Sequence, residues 1–161
     1  MSAADDIEII TEQELLLRFP AFDANTAWAL GSVLRGKLLA EGVGGSIEIE
    51  IAGQVLFACA TPGATPGQAD WIRRKRNTVR RFGRSSYGVG RAYELSGEDF
   101  EKRNAISLTE YAAHGGGFPI HVIGVGVIGS VVLSGLPQRQ DHGLVVDALA
   151  EVLNVKVQVL G

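Results

Sequence analysis

At 161 residues, 46% hydrophobic and 20% charged, the chain has the size and composition of one globular domain able to bury a sizeable core. Its net charge of −3 provides no global attraction to nucleic acid or anionic lipid, so binding to either would need a local patch. The single cysteine, Cys59, excludes an intramolecular disulfide framework and suits a reducing compartment. The opening MSAADDIEII is acidic where a signal peptide is basic and then apolar. No apolar run approaches the ~20 residues of a membrane helix. The expected location is the cytoplasm, with neither a membrane nor a nucleic acid as partner.

Residues 1–20 read as a lead-in to a single domain spanning 1–161, with a short amphipathic turn from Glu12 to Phe19 ended at Pro20. The first helix is predicted over Phe22–Glu41. Asp23 is its N-cap, Ala27, Leu30, Leu34 and Leu38 recur at helical spacing, and Gly42, Gly44 and Gly45 stop it. Gly31–Leu38 nearly matches a phosphate-binding loop, but Leu38 replaces the magnesium-binding hydroxyl and the segment lies mid-helix. Ser46–Ile51 alternates polar and apolar as a half-buried strand does, Ala52-Gly53 turns the chain, and Gln54–Ala60 returns as the second strand of a hairpin. Thr65 and Pro66 are suited to open the next helix, about Gln68–Phe82.

That helix is the most unusual segment by charge. Arg73, Arg74, Lys75, Arg76, Arg80, Arg81 and Arg84 are seven of the fifteen basic residues. Trp71, Ile72, Val79 and Phe82 form a narrow apolar stripe among them. Three readings are open: a solvated or subunit-facing helix with Glu94, Glu98, Asp99 and Glu101 as counter-charges, an anion site, or a basic face for nucleic acid. Acidic net charge and the lack of a recognition motif weigh against the last. Ser85–Leu95 reads as a glycine-punctuated connection with a short strand near Val89–Tyr93, and Ser96–Ala113 as one or two short helices.

His114 to Pro137 is the stretch around which the chain is organised. Gly115, Gly116 and Gly117 permit positive φ or close approach of another group. The Val- and Ile-rich run beyond reads as two antiparallel strands, 120–127 and 129–135, turning near Ile128-Gly129. Gly124-Val-Gly-Val-Ile-Gly129 matches a dinucleotide fingerprint in letters, but strand-like sequence follows it where a helix is required. Pro137 then sets a last helix with Asp141 near its positive end and an apolar face running to about Asn154. The tail VKVQV is an edge strand or an extended segment.

Little of this is catalytic in pattern. His-Gly-Gly-Gly resembles an oxyanion-hole motif, but no G-x-S-x-G elbow accompanies it. His114, His121 and His142 lack metal-ligand spacing. His114 and His142 each lie beside a glycine at an end of the central hairpin, where they either cap local backbone groups or face a ligand. With no nucleophile–base pair and no metal triad, no reaction is assigned.

WIRRKRN (71–77), FGRSSY (82–87), EKRNA (101–105), YAAHGGGFPI (111–120), GVIG (126–129), SGLP (134–137) and DHGLVV (141–146) together resemble the HbpS-like, or GlcG-like, haem-degrading-domain family, in its branch of small stand-alone cytoplasmic proteins. The resemblance implies a profilin-like α/β/α domain with a five-stranded, mainly antiparallel sheet, and a homo-oligomer, either a dimer or a ring of dimers. It also implies haem as a possible cofactor, since some relatives bind haem or help degrade it. Under a haem or small-anion reading, His114 or His142 is the candidate ligand and Arg74 and Lys75 face the propionates. Gly115, Gly116 and Gly117 then give the closely approaching backbone. The alternative is a non-catalytic oligomeric scaffold or protein-interaction module whose basic helix and glycine loop form subunit interfaces.

Overall fold

Alternation along one strand sets the layering. In the computed structural model, which describes residues 1–161, β1 (Ser46–Ile51) pairs with β2 (Gln54–Ala60), and β3 (Gly117–Val122) with β4 (Gly126–Ser134). The sheet order is β2-β1-β4-β3, antiparallel throughout. Ile47 and Ile49 of β1 point to one face, joined there by Phe118, Ile120, Val131 and Leu133. Against them pack α2 (Ala24–Ala40), through Leu30, Leu34 and Leu38, and α6 (Gln138–Leu153), through Val145 and Leu149. The period of two in the strands and of about four in the helices makes this the main apolar core.

The intervening residues of β1 face the other way, toward α3 (Pro66–Phe82). Glu48 accepts from Arg76 at 2.8 Å and Glu50 from Arg80 at 3.0 Å. These glutamates, with Asp70, Glu110 and Asp141, are the counter-charges of the basic helix. The expected Glu94 and Glu98 instead pair with Arg91 and Arg103, and Glu101 accepts from the Leu108 amide. The expectation failed because α3 lies across the sheet and takes partners distant in sequence.

Four strands stand where five were expected. The place beside β3 is filled by one residue, Phe19: its amide donates to the His121 carbonyl, and its carbonyl accepts from Ile123, both at 2.8 Å. Pro20 follows directly, has no N–H and cannot extend the ladder. The hairpin turns at Ile123–Val125, not at Ile128-Gly129. Gly124 (φ 82°) and Gly126 (φ 117°) adopt the left-handed region there. Gly129 lies within β4, paired with Ile51 and Ile120, and a Cβ there would lie 2.0 Å from the Glu50 carbonyl.

The N-terminal lead-in is a full helix, α1 (Ala3–Leu16), with Ser2 and Asp5 bonding reciprocally at its start. The expected strand near Val89–Tyr93 is helical, within α4 (Ser86–Ser96). Ser85 Oγ accepts from Gly88 N at 3.1 Å, and Gly90 lets the loop carbonyl of Ala113 approach. One short helix, α5 (Phe100–Asn104), occupies 96–113, and the tail beyond Asn154 forms no strand. No helix is long and apolar enough to cross a membrane.

Polar groups buried beneath α1 fasten it to the domain. Asp6 receives a two-pronged pair of bonds from Arg139, at 2.7 and 3.0 Å, and lies 2.9 Å from Arg91 Nε. Burial opposes its charge, yet these guanidiniums hold its carboxyl below the usual range. Gln13 donates its amide to the Gln158 carbonyl at 2.8 Å, which turns its oxygen toward His142 Nε2, also at 2.8 Å. His142 is therefore the Nε2–H tautomer, 1% exposed, and burial pushes its pKa from 6.5 down to about 3.

The unfolded chain protonates His142 below its ordinary pKa and the native protein does not, so this residue's stabilisation is complete above pH 6.5 and declines as pH falls toward 3. Urea denaturation of the parent protein should show stability declining between pH 6.5 and 5, by up to about 1.4 kcal/mol per pH unit from this residue. His142→Leu should flatten that decline.

Candidate functional site

Gln68, Trp71 and Lys75 recur at i, i+3 and i+7 on α3 and so share one side of the helix. The loop carrying His114 and the start of α6, with Gln138 and Asp141, close on that side. The result is a cleft of about 280 Å³ lined by these six residues together with Ser134–Leu136.

Lys75 and Asp141 form its base. Lys75 Nζ donates to the Leu133 carbonyl at 3.0 Å and to Asp141 Oδ2 at 3.2 Å. Asp141 also accepts from Leu136 N at 2.9 Å and Gly135 N at 3.3 Å. Both side chains are buried. Burial draws the Lys75 pKa down and that of Asp141 up, against their mutual attraction. Three donors on the carboxylate keep the pair ionic.

The triple glycine is what lets the loop reach this pair. A Cβ on Gly115 would lie 2.1 Å from the Gln138 carbonyl, and one on Gly116 would lie 2.2 Å from the Leu133 carbonyl and 2.8 Å from Lys75 Nζ. A Cβ on Gly117 would meet Val79 at 2.8 Å. Gly116 also has φ 128°, which L side chains rarely adopt. Ser86 Oγ, which accepts from Gly117 N at 2.9 Å and donates to the His114 carbonyl, fixes both ends of the loop. The close approaches of the three glycines are thus to α6, β4 and α3.

His114 stands at the mouth of the cleft, exposed, with its ring 5.1 Å from that of Trp71 and no hydrogen bond from either ring nitrogen within the chain. Partial desolvation, and then the charges of Lys75 and Arg74, hold its pKa below the ordinary range. At neutral pH it is an uncharged imidazole with a free lone pair. Arg74 lies over the Trp71 ring at 4.0 Å from its centre and is tied to Asp70 at 2.9 Å. It flanks the cleft behind the indole. His142, though next to Asp141 in sequence, turns its ring toward α1 and takes no part in the lining.

Of the site residues expected from sequence, His114, Lys75 and the glycine loop converge, Arg74 lies alongside, and His142 does not. Trp71, Gln68 and Gln138 were not singled out for the site. By sequence Trp71 belongs to the apolar stripe of α3; its spacing with Lys75 is the signal that places it here. No group of three or more His, Cys, Asp or Glu side chains converges as a metal site would require.

Residues 22–150 match the family model described as haem degrading protein HbpS-like. The chain belongs to this HbpS-like family. Among curated relatives, a UPF0303 protein of Serratia proteamaculans is 46% identical over 157 residues, covering 98% of both chains. A UPF0303 protein of Burkholderia thailandensis is 50% identical over 153 residues, covering 95% of this chain and 93% of that one. Among solved structures, the Ybr137w protein superposes with a TM-score of 0.85 at 26% identity, covering 92% of this chain and 89% of that one. A PduOC–haem complex gives 0.70 at 18%, covering 86% and 99%, and an HbpS double mutant of Streptomyces reticuli gives 0.65 at 17%, covering 82% and 86%. At such identities the last two share this fold.

Gly116→Ala should destabilise the domain by about 2–4 kcal/mol, through left-handed strain and displacement of Lys75. Urea denaturation alongside Gly36→Ala, where a Cβ meets nothing within 4 Å, checks this; Gly36→Ala should be neutral or stabilising.

Proposed function

We propose that the HbpS-like chain is a small-molecule-binding protein whose cleft between α3 and the glycine loop takes a small anion, a carboxylate or phosphate. The observation that carries this reading is Lys75. An ammonium has three protons; two are bound to Leu133 and Asp141, which leaves one for a ligand in the cleft that Lys75 lines. Gln68 and Gln138 add amide donors, and His114 and Trp71 give a flat, partly apolar wall.

Haem is the second reading, supported by the family's description and by the haem complex among proteins of this fold. His114 would be the axial ligand, since the Nε2 of His142 is bound to Gln13, and Arg74 and Lys75 would face the propionates. A bound haem would supply redox-active iron there, with the His114 imidazole as the residue able to hold it. The cleft does not fit it as an enclosed group: its hydrophobic liners are Trp71 and Leu136 alone, where enclosed ligand sites are lined mostly by apolar side chains.

Protonation of His114 distinguishes the two. An imidazolium adds charge, so anion affinity should rise as pH falls through the depressed pKa of His114. Iron ligation needs the free lone pair, so haem affinity should fall over the same range. Calorimetric titrations with inorganic phosphate and with short carboxylates, and hemin titrations followed at the Soret band, should be run on the parent and on His114→Ala. The expected result is saturable anion binding that strengthens at lower pH, with His114→Ala weakening it roughly tenfold, about 1.4 kcal/mol, and abolishing the pH trend. A stoichiometric Soret shift lost in His114→Ala would put haem in place of the small anion. Absence of both would leave the oligomeric scaffold as the function.

A further inference from the structure

A second cavity lies at the other end of β4, between the turn that joins β1 to β2 and the C-terminal half of α3. It has a volume of about 300 Å³, and none of its lining residues lines the cleft beside the glycine loop. Glu50 and Arg80 bring its charges and Ser130 a hydroxyl, while Ala52, Val127 and Ile128 form an apolar wall.

All three polar groups have bonding capacity that the fold leaves unused. Glu50 is buried, yet both hydrogen bonds to its carboxylate, from Arg80 at 3.0 Å and from the Gly53 amide, fall on Oε1. Its Oε2 has no partner. Arg80 spends one nitrogen on Glu50, and its side chain is 56% exposed, so its other N–H groups are free. Ser130 stands opposite Glu50 in the β1–β4 ladder, which puts both side chains on one face. It is 2% exposed, and its hydroxyl bonds to nothing. An unpaired polar group out of water is costly, and an ion pair that merely covered a strand would not call for one. Ala52, in the same wall, adopts a left-handed φ of 50°, a strain of the kind that collects at ligand sites.

We propose that this cavity binds a free α-amino acid with a small apolar side chain. The charges select a zwitterion. A simple anion drawn to Arg80 meets the Glu50 carboxylate, and a simple cation drawn to Glu50 meets the guanidinium. An α-amino acid carries its ammonium and carboxylate on one carbon, so laid head to tail against the adjoining Glu50 and Arg80 it pairs each charge with its opposite. The ammonium donates to Glu50 Oε2 and to Ser130 Oγ, which satisfies the orphan hydroxyl. The carboxylate accepts from the free nitrogens of Arg80, and the side chain rests on Val127 and Ile128.

Calorimetric titration of the full chain with L-alanine, L-valine and L-leucine tests this. Isovalerate, which is valine without its ammonium, and isobutylamine, which is valine without its carboxylate, serve as controls. At least one of the amino acids should bind saturably at one per chain, with both controls weaker than L-valine by roughly tenfold or more. Ser130→Ala should weaken amino-acid binding roughly tenfold while its melting temperature is kept or raised, because a purely structural hydroxyl without a partner is no loss. Arg80→Lys keeps the charge, loses the planar fork and should weaken binding as well. Should Arg80→Lys fail to fold, Ser130→Ala decides. His114→Ala, in the other cleft, should bind as the parent does. No saturable binding of any of the three amino acids overturns the proposal, as does isovalerate or isobutylamine binding as tightly as L-valine. Binding lost in His114→Ala but kept in Ser130→Ala overturns it too, by moving the amino acid to the cleft beside the glycine loop.

Discussion

The buried pair of Lys75 and Asp141 ties together three elements that meet at the cleft. Lys75 comes from the middle of α3, Asp141 from the first turn of α6, and the Leu133 carbonyl from the end of β4. Taking an ammonium and a carboxylate out of water is costly, and attraction between them offsets that only when their remaining hydrogen-bonding capacity is met. Here the carboxylate also receives the amides of Gly135 and Leu136, so it caps the entry to α6 while it neutralises α3. Gly116 passes directly over the ammonium, where no side chain fits. The exposed features of the cleft, the Trp71 indole and the His114 imidazole, inherit their positions from this hidden pair.

The two faces of the sheet illustrate how much was legible in the sequence. Where a feature is local, residue type was enough. Asp23 caps its helix, Thr65-Pro66 opens the next, and the alternation of Ser46–Ile51 is kept in the strand. Where a feature depends on a partner far along the chain, it was not. Glu48 and Glu50 looked like the solvent side of a strand, and nothing nearby in sequence says that Arg76 and Arg80 cover them. Gly88 and Gly90 suggested an extended connection because helix interiors disfavour glycine; tertiary contact overrode that propensity, since the Ala113 carbonyl leaves no room at Gly90. The helical start of the chain went unread because its anchors, Arg139 and His142, lie over a hundred residues away.

The candidate site divides along the same line. The glycine run and the basic helix announced themselves by composition. Their meeting did not, and neither did the departure of His142, which only the Gln13 contact explains. Proteins of 16–26% identity keep this fold, and a shared fold does not carry a shared function. The function of any one member therefore has to be argued from its own cleft.

The sheet is held to its two helical layers by different forces. The α2–α6 side is sealed by Ile, Leu, Val and Phe, which carry no charge for salt to screen. On the α3 side, half-exposed guanidiniums rest on strand carboxylates, an attraction that mobile ions weaken. Moderate salt thus screens an attraction that only the α3 layer uses. Since α3 is also the wall of the cleft, the layer that salt screens is the one a ligand would brace, and occupancy of the cleft would add a second fastening there.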